Sequence, residues 1–297
     1  MIFSFLILIV FVLLSVAFFT VFEVKGLGYI HLRPGPNKVL FLGLFQPFSD
    51  FVKMFSKGGG DYSLFYFFYY FFSPFLGVLL GLLVWSFYYS YFSFFSSFWG
   101  ILLFFFISSV SVYFLIFSGW SSGSVYSVLG SFRSSAQAVS YEVLMIFIFF
   151  CYVLLYYCFS FFDFFTKMGG FYFSFLSVPL FFCWFFSCLA ESGRSPFDFS
   201  EGESELVSGF NTEYYGGMFV FIFLCEYSFI MFLCLLTSFF WGFSYYYLKV
   251  FFFCFLFVWV RSSFPRLRFD FLMMVCWKVL LPLTLGVFIF FGSFSFF

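Results

Sequence analysis

A long run without charge dominates the first half of this sequence: no Asp, Glu, Lys or Arg occurs between Asp61 and Arg133. A helix needs about 20 apolar residues to cross the hydrocarbon core of a bilayer, so this run is long enough for more than one crossing. Charged residues make up only 9 % of the chain. A soluble domain carries about a quarter, because charge must cover its water-facing surface. The sequence therefore excludes a soluble enzyme and predicts a membrane protein with several spans.

Apolar segments of span length recur along the whole chain. They predict an all-α polytopic membrane protein, a single membrane domain with about eight transmembrane helices. The predicted spans are residues 2–22, 64–87, 98–119, 138–160, 171–190, 218–241, 244–260 and 279–295.

The loop after the first span contains a shorter helical pattern. Pro47 suits a first helical turn, and Phe48, Phe51, Val52 and Phe55 then repeat at helical spacing. This pattern predicts an amphipathic helix lying at the membrane interface. Such a helix either anchors the loop to the membrane or forms one wall of a cavity for a long apolar ligand.

The charges lie almost entirely on one predicted face. Eleven of the 13 basic residues fall in four loops, 23–63, 120–137, 191–217 and 261–278, and all acids except Asp163 lie in or beside these loops. By the positive-inside rule this face points to the compartment where the chain is made, and eight spans place both termini opposite. The 68 Phe residues indicate a T-rich codon bias typical of mitochondrial genomes, so we assign the charged face to the matrix.

Acidic residues are concentrated in and beside the loop 191–217. Six acids from Glu191 to Glu213 face a single cation, Arg194, and their spacing does not match an EF-hand calcium loop. Crowded carboxylates raise one another's pKa, so such a group can exchange protons near neutral pH. Glu142 and Glu226 fall inside predicted spans, where carboxylates are costly and usually face a bundle interior or a water-filled path.

Motifs for redox groups and nucleotides are missing from the sequence. One histidine, His31, cannot supply a pair of axial haem ligands, and the eight cysteines form no C-x-x-C motif. No nucleotide-binding glycine motif occurs, and a net charge of zero leaves no footprint for nucleic acid. We therefore expect no metal site and no catalytic residue here, and any electrons must come from another chain.

Six strings of residues form a recognisable pattern along the chain. They are Gly35 to Asn37, Gly43 to Asp50, Ser140 to Val143, Glu191 with Arg194 to Asp198, Glu201 to Asn211, and Arg261 to Asp270. In this order they resemble a known family: chain 1 of mitochondrial NADH:ubiquinone oxidoreductase, or respiratory complex I. The resemblance covers essentially the full chain, and its most specific part is E-G-E-S-E-L-V-S-G-F-N.

The resemblance implies a subunit that borders the ubiquinone chamber and couples quinone reduction to proton translocation. It places Arg33, Asp50, Phe210 and Arg261 on the quinone path. It implies an acidic channel made of Glu142, Glu191, Asp198, Glu201, Glu203, Glu213 and Glu226, with Arg133 and Arg194 as counter-charges. Ubiquinone would be the substrate, whereas NADH, FMN and iron–sulfur clusters would be bound by partner subunits. These partners would include the peripheral-arm subunit with the terminal cluster and small membrane-arm subunits, in the mitochondrial inner membrane.

Val24 departs from the family pattern. It stands where the family usually has an Arg, so one quinone-contacting cation is missing here.

Two other functions are compatible with intramembrane acids. A stand-alone ion-coupled transporter would need them, but such proteins often carry an inverted repeat and the two halves of this chain show no self-similarity. The related membrane subunit of hydrogenase-type complexes is the other alternative, and the mitochondrial codon bias argues against it.

Overall fold

A computed structural model describes residues 2–38, 40–57, 66–87, 99–161, 163, 178–199, 209–211, 213–241 and 246–295. Regular structure in these ranges is helical, with no β-strand. In chain order the α-helices are α1 (Ile2–Ile30), α2 (Leu40–Gly43), α3 (Gln46–Ser56), α4 (Phe67–Val84), α5 (Gly100–Ser121), α6 (Val125–Tyr156), α7 (Val178–Glu191), α8 (Gly217–Phe240), α9 (Tyr246–Ser263), α10 (Phe269–Val275) and α11 (Leu281–Ser295). Tighter 3₁₀ turns lie at Trp85–Phe87 and Gly209–Asn211, and a π-helical turn, Cys276–Leu280, joins α10 to α11.

Six helical segments of the described chain are long and apolar enough to cross a membrane, which confirms the all-α polytopic class. They are Phe3–Ile30, Phe67–Phe87, Gly100–Ser121, Val125–Tyr156, Gly217–Phe240 and Phe269–Ser293.

The count of six differs from the predicted eight at two helices. The predicted spans 171–190 and 244–260 overlap α7 and α9. α7 has 14 residues, which is about 21 Å of helix at 1.5 Å per residue and shorter than a hydrocarbon core. Residues 171–177 of that span lie outside the described residues. α9 has 18 residues but carries Lys249 and Arg261, so its charge-free part is shorter than a span.

Two helices continue into segments that the sequence predicts to be loops. α1 runs on to Ile30 and so includes Glu23, while α6 begins at Val125 and so includes Arg133. Neither extension contains a proline, and polar residues are compatible with a helix whose inner face is packed. Loop boundaries drawn from hydropathy alone therefore fall inside these helices.

The predicted amphipathic helix is present as α3, with Pro47 in its first turn. None of its residues is buried. Its apolar side rests on two spans: the Phe48 ring contacts Phe18 of α1 with centroids 6.1 Å apart, and the Phe55 ring contacts Phe221 of α8 at 5.9 Å. The helix therefore bridges α1 and α8 on the outside of the bundle.

The core is organised around α6, which packs against α5, α7 and α11. Phe149, in the C-terminal part of α6, is fully buried, and its ring meets Trp184 of α7 and Phe240 of α8 edge-on, each with centroids 5.0 Å apart. Such edge-to-face contacts are a favoured packing of aromatic rings. The eight cysteines are buried and free, which agrees with their interpretation as small core residues.

Small residues let α6 approach its neighbours closely. A Cβ atom added at Gly119 of α5 would lie 2.1 Å from the Ser131 hydroxyl oxygen, and one added at Gly130 would lie 3.0 Å from the Cα atom of Gly209. The second contact seats the turn Gly209–Asn211 directly on α6. It thereby positions Phe210, one of the residues that the resemblance predicts for a quinone path.

Candidate functional site

A cavity of about 100 Å³ lies between α5, α6, the end of α7 and α8. It holds two carboxylates and one guanidinium beside apolar walls, and its volume is enough for several water molecules. The charged and polar lining residues are Ser111, Ser134, Gln137, Glu191, Ser192, Arg194 and Glu226. The apolar lining residues include Phe114, Leu115, Ala138, Phe210, Cys225 and Phe229.

The end of α7 directs Arg194 into this cavity. Gly193 follows the helix with a left-handed φ of +59°, and its N–H donates to the carbonyl of Ala190 at 3.2 Å. A left-handed glycine after the last turn is a common helix stop, since it needs no Cβ. The chain therefore turns back immediately, and Arg194 comes to lie opposite α8.

Arg194 forms an ion pair with Glu226 across the cavity. Its Nη2 donates to Glu226 Oε2 at 3.2 Å, and the two side chains are 11 % and 21 % exposed. Glu226 lies in the third turn of α8, well inside a segment of span length. A carboxylate at such a depth needs a cation or hydrogen bonds to remain ionised, and Arg194 supplies both.

Glu191 is the second carboxylate of the cavity, at the C-terminal end of α7 and just beyond the predicted span 171–190. Its Oε2 is buried and accepts no hydrogen bond from the described residues. Burial raises the pKa of Glu191 to about 8, and the nearby Glu142 carboxylate raises it as well. Glu191 is therefore held in its protonated form to a higher pH than an exposed glutamate.

Glu142 lies one helical turn away from the cavity. It is 8 % exposed in α6, and the Ser108 hydroxyl of α5 donates to its Oε1 at 2.8 Å. Ser108 and the cavity residue Ser111 are three positions apart on α5 and so share one face. Serine hydroxyls thus line the short distance between Glu142 and the cavity that contains Glu191 and Glu226.

Gln137 holds the cavity wall in place, and sequence reasoning missed it. Its Nε2 donates to the carbonyls of Ala190 at 2.7 Å and Phe197 at 3.0 Å, which ties α6 to the end of α7 and to the segment after Arg194. A neutral amide contributes nothing to a pattern of charges. Its signal in the sequence is a glutamine between small residues, five positions before Glu142.

A second charged cluster joins α1, α8 and α9. Arg261 Nη1 donates to Glu23 Oε1, and the Tyr227 hydroxyl donates to Glu23 Oε2 at 2.5 Å. Glu23 is 5 % exposed, although hydropathy predicts a loop at this position. Arg194 links the two clusters, because its Cζ lies 4.7 Å from the centroid of the Tyr227 ring. Tyr227 is the other contributor that sequence reasoning missed.

The residues that the sequence predicts to line a quinone path do not lie together. Asp50 of α3 accepts hydrogen bonds from the Gln46 amide at 3.0 Å to each oxygen, and Arg33 is exposed in the turn after α1. Phe210, by contrast, is 1 % exposed and lines the cavity of Glu191 and Glu226. The described structure therefore places Phe210 with the acids, whereas Asp50 and Arg33 lie outside the cavity.

The other predicted acids in the described chain, Asp198 and Glu213, and the predicted counter-charge Arg133 do not line the cavity. Asp198 pairs with Arg266 at 2.9 Å, Glu213 is exposed, and Arg133 is half-buried in α6. Glu201 and Glu203 lie outside the described residues. Within the described ranges no group of three or more His, Cys, Asp or Glu side chains could hold a metal ion.

Comparison with known proteins places this arrangement in a family. The profile described as NADH dehydrogenase matches residues 3–292. NADH-ubiquinone oxidoreductase chain 1 of Locusta migratoria is 46 % identical over 98 % of this chain and 95 % of its own length. The proteins of the same name from Aedes aegypti and Artemia franciscana are each 44 % identical, over 96 % and 97 % of this chain and 93 % and 96 % of their own lengths. The chain therefore belongs to the NADH dehydrogenase family.

Proposed function

We propose that this chain is a core membrane subunit of respiratory complex I that borders the ubiquinone path and couples quinone reduction to proton translocation. The relatives support the complex, since each is named as chain 1 of an NADH-ubiquinone oxidoreductase. The subunit acts within an NADH:ubiquinone reductase of the mitochondrial inner membrane, with both termini on the intermembrane-space side. Other complex I subunits are its partners, and they hold the NADH, FMN and iron–sulfur clusters.

One observation carries the coupling role: Glu191, Arg194 and Glu226 share a single cavity, with Glu142 one turn away. Carboxylates this close share protons, because the ionisation of one disfavours the ionisation of the next. Only Arg194 of this group is a fixed positive charge, and it is paired with Glu226. A proton reaching the cavity is therefore shared among several sites.

Quinone reduction supplies a reason for such protons to move. The conversion of ubiquinone to ubiquinol takes up two electrons and two protons, so electron arrival creates transient negative charge beside the acids. That charge raises the proton affinity of nearby carboxylates, and the shift passes along the series Glu142, Glu191, Asp198, Glu201, Glu203, Glu213 and Glu226. Arg133 and Arg194 hold the opposing charge. Arg33, Asp50, Phe210 and Arg261 border the quinone on this hypothesis.

Replacement of Glu226 by Gln tests the coupling role. The variant keeps the shape of the side chain but cannot ionise, so we expect an assembled complex with lower ubiquinone reductase activity and lower proton translocation in proteoliposomes. Asp163→Asn is the matched control, because Asp163 lies on the predicted opposite face and hydrogen-bonds locally with Ser160 at 2.6 Å. Wild-type proton translocation in Glu226→Gln would remove Glu226 from the mechanism.

Immunocapture of the chain from mild-detergent membranes tests the assignment to the complex. We expect the captured material to contain non-haem iron and inhibitor-sensitive NADH:quinone reductase activity. A captured lone polypeptide without iron or activity would contradict the proposal and favour a stand-alone transporter.

A further inference from the structure

Tyr227 occupies a buried position between two ion pairs. It follows Glu226 directly in α8, so its side chain leaves the helix about 100° away from that of Glu226. The residue is 7 % exposed, and its ring packs edge-on against Phe19 of α1 with centroids 5.9 Å apart. These contacts give the ring a defined place between α8 and α1.

The hydroxyl end of Tyr227 holds a buried carboxylate. It donates to Glu23 Oε2 at 2.5 Å, while Arg261 donates to the other oxygen of the same carboxylate. The Glu23 side chain is 6 % exposed. An ionised carboxylate with so little access to water depends on donors from the protein, and Tyr227 supplies one of them.

The ring of Tyr227 faces a different charge. The guanidinium carbon of Arg194 lies 4.7 Å from the ring centroid, within the range of a cation–π contact. Arg194 also donates to Glu226 at 3.2 Å. One side chain therefore touches the anion of the Glu23–Arg261 pair at its tip and the cation of the Arg194–Glu226 pair at its ring.

We propose that Tyr227 is a positioning residue that couples the Glu23–Arg261 pair to the Arg194–Glu226 pair. This inference rests on the proposed function, in which Arg261 borders the quinone and Glu226 belongs to the proton-coupling acids. A change of charge at Glu23 alters the hydrogen bond that the phenol donates. The ring then shifts beneath Arg194, and the Arg194–Glu226 contact changes with it.

A mutant cycle in the whole complex tests the coupling. Glu23→Gln and Glu226→Gln are made singly and together, once with native Tyr227 and once combined with Tyr227→Phe. The readouts are kcat and KM for ubiquinone and the ratio of protons translocated to electrons transferred. With native Tyr227 we expect the change in kcat or KM of the double variant to differ from the product of the two single changes by about threefold or more. With Tyr227→Phe the effects should multiply to within about twofold.

Tyr227→Phe alone gives a second readout if a glutamate variant does not assemble. It keeps the ring and removes the hydroxyl, so we expect normal assembly with a raised KM for ubiquinone or a lowered proton-to-electron ratio. Tyr152→Phe is the matched control: it makes the same chemical change at a fully buried tyrosine of α6 whose ring packs on Phe240 at 4.2 Å.

The outcomes separate this inference from the proposed function. A Tyr227→Phe complex that behaves like Tyr152→Phe in every readout, or single effects that already multiply with native Tyr227, overturns the role of Tyr227 alone. Wild-type activity and proton translocation in both glutamate variants would instead overturn the proposed coupling function, on which the role of Tyr227 rests.

Discussion

Replacing Arg194 by Met should destabilise the complex through the charge it leaves behind. Arg194 and Glu226 are 11 % and 21 % exposed, so removal of the cation leaves a carboxylate with little access to water. Breaking a fully buried pair in this way costs about 3–5 kcal/mol. Since Glu226 keeps some exposure, we expect about 2–4 kcal/mol here, and loss of the contact with the Tyr227 ring adds to it.

The thermal inactivation of ubiquinone reductase activity in the purified complex measures this effect. In two-state domains of about 150–250 residues, about 1 kcal/mol corresponds to roughly 2–4 °C, and on that scale the midpoint should fall by about 4 °C or more. Arg194→Met combined with Glu226→Gln should recover part of the loss, because the double variant leaves no unpaired carboxylate at this position.

A matched control breaks an exposed pair with similar geometry. Arg268 and Asp270 are 3.0 Å apart, but their side chains are 83 % and 65 % exposed. Surface pairs contribute at most about 1 kcal/mol, so Arg268→Met should shift the midpoint by no more than a few degrees. The reasoning is refuted if Arg194→Met behaves like this control, or if the double variant is less stable than Arg194→Met alone.

Two further predictions concern the cavity wall. Gln137→Leu removes the donor to two backbone carbonyls, and we expect a loss of about 2–4 kcal/mol, measured as a lower midpoint of thermal inactivation; an unchanged midpoint would show that water replaces the amide. Glu191→Gln should change the pH dependence of stability. The pKa of Glu191 rises from 4.5 to about 8 on folding. Between these two values Glu191 is protonated in the folded state and ionised in the unfolded state, so a rise in pH favours unfolding. The wild type should therefore lose stability relative to the variant as the pH rises from 6 to 8, and the difference should stop growing above that; a pH-independent difference between pH 6 and 9 contradicts this assignment.

Hydropathy and charge are sufficient to predict the membrane class and the place of Glu226 within a helix of span length. Glu226 comes eight positions after Met218, and α8 carries it in its third turn. Both signals are local in the sequence, so they can be interpreted without knowing how the helices pack. The amphipathic pattern after Pro47 likewise predicts α3, because the spacing of its rings encodes a helix directly.

Pairings between distant residues could not be predicted in this way. Arg194 and Glu226 are 32 positions apart, and Glu23 and Arg261 are 238 apart, so only the packing of helices brings each pair together. Gln137 and Tyr227 carry no charge, and their roles depend on what lies opposite them in the fold. Helix ends were also missed, since α6 continues through polar residues where hydropathy falls.

The length of α6 makes the cavity wall sensitive to small tilts of this helix. Its 32 residues span about 48 Å at 1.5 Å per residue, whereas a hydrocarbon core is about 30 Å thick. Phe149 is clamped by aromatic rings, and Gln137 lies 12 residues away, which is about 18 Å along the axis. A tilt of about 3° around that clamp would move Gln137 by about 1 Å, enough to break hydrogen bonds of ordinary length. A tilt of this size would break the hydrogen bonds from Gln137 to Ala190 and Phe197, so the tight packing of the N-terminal half of α6 fixes the wall beside Glu191.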